Sequence, residues 1–210
     1  MKTKIGILLV VLGCVLLAGS LGLQYRNRQE QQQAAAAVDV LMPRLVDAIH
    51  VRQEEPTEAA TTAVNAAVNA PQAQTREMPV VEIEGEGYVG FVGIPALGLE
   101  LPVMAEWSYP RLRKSPCRFS GDMYSGDLVI MAHNYERHFG GLKQLRVGDT
   151  VTVTDMDGGT IRYQVAALDI LEPTAVAEMT AGEYDLTLFT CTYGGKSRVT
   201  VRCDRVAEEA

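Results

Sequence analysis

A cysteine, a histidine and an arginine stand at the ends of strand-like segments in this sequence. Cys191 ends one apolar segment, Arg198 opens the segment that follows, and His133 comes directly after another apolar run. A thiolate attacks carbonyl carbons, a histidine moves the proton, and a forked guanidinium stabilises an oxyanion. Each residue has a structural explanation when taken alone, but the three together predict nucleophilic catalysis on a carbonyl group.

Strand alternation predicts that Arg198 lies beside Cys191. Successive side chains of a strand point to opposite faces, so Arg198 faces away from the apolar residues of its own segment. The loop 192–197 is short enough for a hairpin, which would bring Arg198 close to the thiol. A cationic neighbour favours the thiolate form. Arg202 shares the face of Arg198 and is the alternative arginine.

His133 is the best candidate for the acid or base among three histidines. His50 lies in the N-terminal part of the chain, before the predicted domain, and His138 lies in a charged loop. Because His133 follows an apolar strand-like run, the sequence predicts that it lies at the rim of a sheet.

The composition indicates one globular domain that carries an N-terminal attachment. The formal net charge of −7 over 210 residues, without a cluster of Lys and Arg, argues against a nucleic-acid partner. The uncharged run 5–23 has the length of a membrane-spanning helix, about 20 residues. Lys2 and Lys4 precede it and favour a cytoplasmic N-terminus. We predict a single-pass anchor at residues 1–23, with the rest of the chain outside the cytoplasm.

Two alternatives to an uncleaved anchor stay open. Residues 18–20 could serve as the cleavage site of a signal peptide. Residues 11–14 resemble the lipid-attachment box of bacterial lipoproteins, which would make Cys14 a lipidated first residue. All three interpretations put the bulk of the chain outside the cytoplasm.

Residues 24–78 are predicted to form a stalk and linker below a folded domain at residues 79–206, with a short tail at 207–210. The stalk has helix-like apolar spacing that Pro43 interrupts. This spacing favours a weakly helical spacer, and a partner-binding helix is the alternative. The residues that carry it are Val38, Leu41, Leu45, Val46 and Ile49. Residues 52–78 lack the apolar side chains of a core and are predicted to be a flexible linker.

The folded domain consists of short strand-like segments separated by Gly and Pro turns. The predicted strands are residues 88–94, 99–104, 128–132, 150–155, 161–171, 186–191 and 198–204. Helical turns are predicted at 139–145 and 174–179, and a hairpin turn at 155–159. Such a pattern indicates an all-β barrel or sandwich.

The remaining cysteines of the domain have two interpretations. Disulfides form readily outside the cytoplasm, so a Cys117–Cys203 bridge is one of them. Cys203 shares a predicted strand face with Val199 and Val201, which favours the other, a small buried apolar residue. In both cases Cys191 stays a free thiol.

These motifs resemble those of the sortases, the membrane-anchored cysteine transpeptidases of Gram-positive bacteria. Residues 187–191 resemble the family's Thr-Leu-x-Thr-Cys, and Arg198 opens the next strand as the family's arginine does. Ala132-His133-Asn134 is followed by Phe-Gly-Gly-Leu at 139–142 and by Leu-Arg-Val-Gly-Asp at 145–149. The resemblance spans nearly all of residues 79–206 in the expected order.

The resemblance implies a single closed eight-stranded β-barrel with short helices, without a metal or an organic cofactor. It also implies Cys191 as the nucleophile, His133 as the general acid and base, and Arg198 as the stabiliser of the carbonyl oxygen. Thr190 would support the substrate groove. Thr187 and Asn134 are the other substrate-binding candidates.

Similar enzymes cleave a C-terminal sorting signal of Leu-Pro-x-Thr-Gly type on surface proteins and hold the product as a thioester. They then pass the acyl group to an amine of the cell wall or of a pilin. We expect the same reaction here. Two alternatives stay open: a hydrolytic cysteine peptidase with the same residues, and a non-enzymatic anchored barrel that binds partners.

Some features depart from the family pattern. Ala132 stands where the family usually has glycine, whereas Asn134 and the residues 191–193 resemble class B sortases. The stretch 172–185 is shorter than the helix-bearing insertion of class B. No Asp-Pro-aromatic segment resembling the lid of pilus-building sortases precedes the barrel. The sequence alone therefore predicts the family but not the subclass, the sorting motif or the acceptor.

Overall fold

The computed structural model describes residues 2–54 and 76–207, with the side chains of residues 2–5 and 7–10 outside the description. The part of the predicted linker at residues 55–75 therefore lies outside the described residues. Two kinds of element make up the rest, one long helix and a β-sheet.

Helix α1 spans Lys2–Glu54. The strands are β1 (Val81–Ile83), β2 (Glu86–Ile94), β3 (Leu99–Met104), β4 (Cys117–Ser120), β5 (Leu128–Met131), β6 (Thr150–Asp155), β7 (Thr160–Leu171), β8 (Leu186–Cys191) and β9 (Arg198–Arg205). Short helices lie between the strands at Pro95–Leu97, Tyr109–Leu112, Phe139–Gln144 and Val176–Met179.

The sheet closes into a barrel because β2 pairs with β3 along one edge and with β6 along the other. The strand order is β1-β2-β3-β4-β5-β8-β9-β7-β6, with β2 returning to β6. The closed ring thus contains the eight strands β2 to β9, and β1 is appended to β2. The β3–β4 and β5–β8 pairs are parallel and the others antiparallel. The predicted single eight-stranded barrel is confirmed, and closure leaves no long unpaired edge in the ring.

Gly90 permits the closure between β2 and β6. It faces Asp155 of β6 at a φ of 144°, and a Cβ there would collide with the carbonyl oxygen of Thr154. Only glycine lets two backbones approach so closely.

Most strands match their predicted bounds, and two were missed. The structure has strands at 99–104, 150–155 and 186–191 as the alternation predicts. The missed strands are β1, with three residues, and β4, with four. In neither strand is every second residue buried, so the sequence shows no alternating apolar pattern there. The predicted hairpin turn at 155–159 joins β6 to β7, where Gly158 donates its N–H to the carbonyl of Asp155 at 3.1 Å.

The barrel interior determines which residues of β8 and β9 point outward. Leu186 and Leu188 of β8 and Val201 of β9 belong to the interior cluster. Because side chains alternate along a strand, Cys191 and Arg198 point to the outer face.

Helix α1 packs against the barrel along one side. The apolar stripe of the helix is buried there, at the spacing of an amphipathic helix; its residues are Ala34, Val38, Leu41, Leu45 and Ile49. Leu45 lies in one cluster with Tyr88 and Met104 of the barrel. The predicted stripe is confirmed, but the interpretation of residues 24–51 as a spacer is wrong, because barrel side chains cover it. Pro43 lies inside the helix and does not end it.

The predicted membrane anchor at residues 5–23 is not supported. Within the part of the chain that the structure describes, no helix has both the length and the apolar character needed to cross a membrane. The side chains at positions 5 and 7–10 of the predicted anchor fall outside that part.

Candidate active site

The β8–β9 hairpin brings Cys191 and Arg198 together. The two residues are direct cross-strand partners, a position in which side chains share one face with Cβ atoms about 5 Å apart. The loop 192–197 is closed by the Thr192 N–H, which donates to the Ser197 carbonyl at 2.9 Å. Gly194 supplies a left-handed turn residue at a φ of 84°. The predicted hairpin is confirmed.

His133 reaches the same edge from the neighbouring strand. β5 runs parallel to β8 with Met131 beside Phe189, and the Ala132 N–H continues the ladder by donating to the Phe189 carbonyl at 3.2 Å. Since His133 follows two residues after Met131, and Cys191 two residues after Phe189, the two leave the sheet at the same level. Both side chains are half-buried.

Thr190 fastens these two segments to each other. Its side chain is buried, and its hydroxyl donates to the Ala132 carbonyl at 2.8 Å. The residue before the cysteine is thus bonded to the residue before the histidine. This inward position does not match the predicted place of Thr190 in the substrate groove.

The guanidinium of Arg198 lies over its own hairpin loop. Its Nη1 donates to the carbonyls of Gly195 and Ser197, each at 3.2 Å. The N–H groups on Nε and Nη2 of the guanidinium take no part in these two bonds. A half-buried guanidinium held by neutral carbonyls keeps donors for an oxyanion at the adjacent thiol.

Arg202, the alternative arginine, has a structural role. Its side chain is 7% exposed, and its donors go to Asp169 at 3.4 Å and to the Glu178 carbonyl at 2.8 Å. A further N–H goes to the hydroxyl of Thr187 at 3.1 Å. The same buried bond removes Thr187 from the outer surface, contrary to its prediction as a substrate-binding residue. Asn134 is exposed beside His133, and its role stays a prediction.

His133 lies in an environment that favours the neutral imidazole. Burial lowers its pKa below the usual 6.5, Arg113 lowers it further, and Glu30 of helix α1 opposes both. The ring packs against Tyr135 with centroids 4.8 Å apart. A neutral imidazole at neutral pH can accept the proton of a thiol or of an amine.

An apolar outer patch borders the candidate site. We use this name for Val129, Met179 and Phe189 with the adjoining Phe119, Met131 and Leu171. Phe119 meets Phe189 edge to face at 5.4 Å, and Trp107 stacks on Phe119 at 6.0 Å while staying 43% exposed. Sequence reasoning missed the patch because it missed β4, although the alternation of β8 already puts Phe189 on the face of Cys191.

Cys191 differs from the other barrel cysteines. Cys117 and Cys203 are free thiols buried in two different apolar clusters, and burial raises the pKa of each to about 12. The alternative Cys117–Cys203 bridge is absent among the described residues, and Cys203 as a small buried apolar residue is confirmed. Cys191 is half-buried and faces outward.

His138 is buried, whereas the sequence suggests an exposed charged loop. Its side chain is fully covered, and neither ring nitrogen has a hydrogen-bond partner among the described residues. Burial lowers its pKa to about 4, and the nearby His133 lowers it as well.

We therefore expect His138 to make the fold acid-sensitive. The unfolded chain takes up a proton on this ring near pH 6.5, but the folded barrel does so only near pH 4. Stability is thus lost as the pH falls from 6.5 to 4, by about 3 kcal/mol from this group. Urea unfolding at pH 7 and pH 4 should show that His138→Phe loses less stability over this range than the unmodified chain. Equal losses would contradict the assignment.

Within the described residues, no group of three or more His, Cys, Asp or Glu could hold a metal ion. The chemistry available at this edge of the barrel is that of a thiol, an imidazole and a guanidinium. These groups suit a cysteine-dependent acyl transfer.

The sortase domain model matches residues 92–206, more than half of the chain. The chain therefore belongs to the sortase family. No curated protein matches it.

Solved structures of sortases have the same fold. Sortase C1 from Streptococcus suis is 29% identical, with 59% of this chain and 75% of that chain covered and a TM-score of 0.50. Sortase C1 from Streptococcus agalactiae is 29% identical, with 61% and 72% covered and a TM-score of 0.52. A pilus-related sortase C of Group B Streptococcus is alike in fold, at 22% identity, 86% and 97% coverage and a TM-score of 0.51. These proteins are sortases C, whereas Asn134 and residues 191–193 resemble class B, so we assign the family and not the class.

Proposed function

We propose that this chain is a cysteine transpeptidase acting on a C-terminal sorting signal of Leu-Pro-x-Thr-Gly type. The acyl group would pass to an amine of the cell wall or of a pilin, outside the cytoplasm. The observation that carries the proposal is the cross-strand pair of Cys191 and Arg198 beside the end of the strand that leads to His133. Membership of the sortase family supports it independently.

The proposed reaction assigns one step to each group. The imidazole of His133 takes the proton of the Cys191 thiol, and the sulfur attacks the carbonyl carbon of the scissile bond. Arg198 donates hydrogen bonds to the developing oxyanion. His133 gives a proton to the departing amine, which leaves a thioester on the sulfur. The acceptor amine then attacks the thioester, His133 takes the proton from its nitrogen, and the sulfur of Cys191 is released.

The apolar outer patch is suited to the leucine and proline of such a signal. It lies on the outer face of β5 and β8, the face to which Cys191 points. Because Phe189 itself is buried, an extended peptide along this face would pack its apolar side chains against the half-buried Phe119 and Met131. It would then present its next carbonyl to the thiol. Burial of a leucine side chain stabilises by about 2 kcal/mol.

The full chain should be incubated with sorting-signal peptides with and without a saturating amine such as triglycine. We expect mass spectrometry to show the amide of the cleaved peptide when the amine is present. Free acid alone at saturating amine would indicate the hydrolytic peptidase. Absence of both cleavage and an acyl adduct on Cys191 would indicate a binding barrel.

Arg198→Lys should lower kcat/KM by about 10²- to 10³-fold, because lysine keeps the charge but loses the planar fork that holds an oxyanion. Arg202→Lys is the matched control on the same strand face. It should lower the free energy of unfolding by about 2 kcal/mol, because the buried bonds of Arg202 are lost, and should leave turnover of the folded enzyme close to normal. Near-normal turnover of Arg198→Lys would remove the oxyanion assignment.

A further inference from the structure

The rings of His133 (the candidate base), Tyr135 and His138 lie in a row, with their planes tilted to one another. We call this row the stack. We call residues 132–138 the His133 loop. Tyr135 lies 4.8 Å from the ring of His133 on one side and 5.5 Å from the ring of His138 on the other. Tyr135 is 7% exposed and His138 is fully buried, so packing prevents both rings from turning freely.

The backbone of the His133 loop is also held. The Phe139 N–H donates to the His133 carbonyl at 3.2 Å, and the Gly140 N–H donates to the Tyr135 carbonyl at 2.9 Å. A Cβ at position 140 would come within 2.7 Å of the Asn134 and Tyr135 carbonyl oxygens. The loop backbone therefore has little room to shift, and the ring of His133 packs against that of Tyr135.

Helix α1 reaches this stack through one polar contact. The hydroxyl of Tyr135 donates to the carboxylate of Glu30 at 3.4 Å, across 105 positions of sequence. A second link between helix and loop, Arg137 with Asp39 at 2.9 Å, is an exposed ion pair, and such pairs stabilise by about 0–1 kcal/mol. Glu30 is thus a helix residue with a hydrogen bond to the stack itself.

We propose that Tyr135 is a positioning residue for His133, and that docked helix α1 fixes it through Glu30. The helix then does more than cover one side of the barrel: its position sets the orientation of the imidazole. This inference rests on the proposed function, because it takes His133 as the acid and base of acyl transfer.

The titratable and charged groups around His133 come from several elements. Glu30 faces it from α1, and Arg113 acts on it from the segment after the short helix Tyr109–Leu112. Tyr135 and His138 contribute from its own loop, and Cys191 with Arg198 lies at the neighbouring strand ends. Removal of Glu30 and removal of the Tyr135 ring should therefore move the pKa of His133 in opposite directions.

The test uses the full chain with Glu30→Gln, Tyr135→Phe, Tyr135→Leu and the double variant Glu30→Gln/Tyr135→Phe. Arg44→Gln is the matched control, because Arg44 also pairs from α1 to the barrel, but through Glu84 and not through a residue of the His133 loop. The readouts are kcat and KM of acyl transfer and an NMR titration of the His133 ring.

Tyr135→Leu should lower kcat about tenfold, with KM within about twofold, because the base is no longer held in line. In this variant the pKa of His133 should rise toward 6.5, because the imidazole is less buried. Glu30→Gln should lower the pKa of His133, since it removes a nearby negative charge. Glu30→Gln and Tyr135→Phe should each lower kcat about threefold, and the double variant no further, because both break the same contact. Arg44→Gln should match the unmodified chain.

Two results would overturn the inference. The first is an unchanged kcat and an unchanged His133 titration in Tyr135→Leu and Glu30→Gln. The second is an additive loss in the double variant, which would separate Glu30 from Tyr135. Should Tyr135→Leu fail to fold, Tyr135→Phe and Glu30→Gln still decide the outcome. The titration does not require turnover, so it tests the contact even in a chain without transpeptidase activity, and failure of the proposed function can be told from failure of this inference.

Discussion

Replacement of Cys191 by alanine is expected to lower kcat/KM of acyl transfer by at least about 10⁴-fold, because no other group can form the thioester. Cys191 is half-buried at the end of β8 and belongs to none of the apolar clusters. Loss of its sulfur should therefore change the free energy of unfolding by less than about 1 kcal/mol. The measurement is turnover of a sorting-signal peptide, alongside a thermal melt of the same preparation.

The barrel supplies matched controls for this experiment. Cys117→Ala and Cys203→Ala make the same chemical change at buried thiols, so they should cost about 1–2 kcal/mol of stability and leave turnover of the folded protein near normal. Iodoacetamide should label Cys191 in the native state and spare the other two, whose burial raises their pKa to about 12. A tenfold change in turnover corresponds to about 1.4 kcal/mol in activation free energy. If Cys191→Ala kept turnover within tenfold of the unmodified chain, Cys191 could not be the nucleophile.

The alternation of side chains in β8 and β9 made much of the site predictable. Leucines at 186 and 188 and valines at 199 and 201 mark the interior face, so Cys191 and Arg198 have to share the other face once the loop 192–197 forms a hairpin. This prediction needs only the two neighbouring strands β8 and β9, because it concerns residues that are close in sequence. The closed barrel follows from the same regular pattern together with the resemblance to the sortases.

Contacts between distant parts of the chain were not predictable in this way. The apolar stripe of α1 indicates that one face of the helix is buried. The sequence does not show which surface covers that face, and a weakly helical spacer can have the same apolar spacing. Tyr135 and Glu30 lie 105 positions apart, so no local sequence pattern predicts their contact. His138 stands among charged residues in sequence yet is buried in the structure, where its ring packs against that of Tyr135.

The threonines next to the nucleophile illustrate a different difficulty. The motif resemblance assigns Thr187 and Thr190 to substrate binding, but in the structure both hydroxyls form hydrogen bonds within the protein. Thr190 donates to Ala132, and Thr187 accepts from Arg202. A buried hydroxyl requires a partner, so these residues support the strands that present Cys191 and His133.

His133→Ala is expected to lower kcat/KM by about 10³-fold or more, because the thiol loses the group that accepts its proton and the leaving amine loses its donor. The pH profile gives a second, independent readout. Burial lowers the pKa of His133, so activity that needs the neutral ring should decline on the acid side only below pH 6.5. In His133→Ala this limb should be absent from whatever activity is left.

His50→Ala is the matched control, because His50 is an exposed histidine on α1, outside the strands of the barrel. It should keep both the turnover and the acid limb of the unmodified chain, since a surface substitution of this kind changes stability by about 0.5 kcal/mol or less. A His133→Ala variant that keeps the acid limb would assign that titration to another group. A variant that also keeps its turnover would leave the barrel with a nucleophile but no base, and the proposed reaction could not proceed through His133.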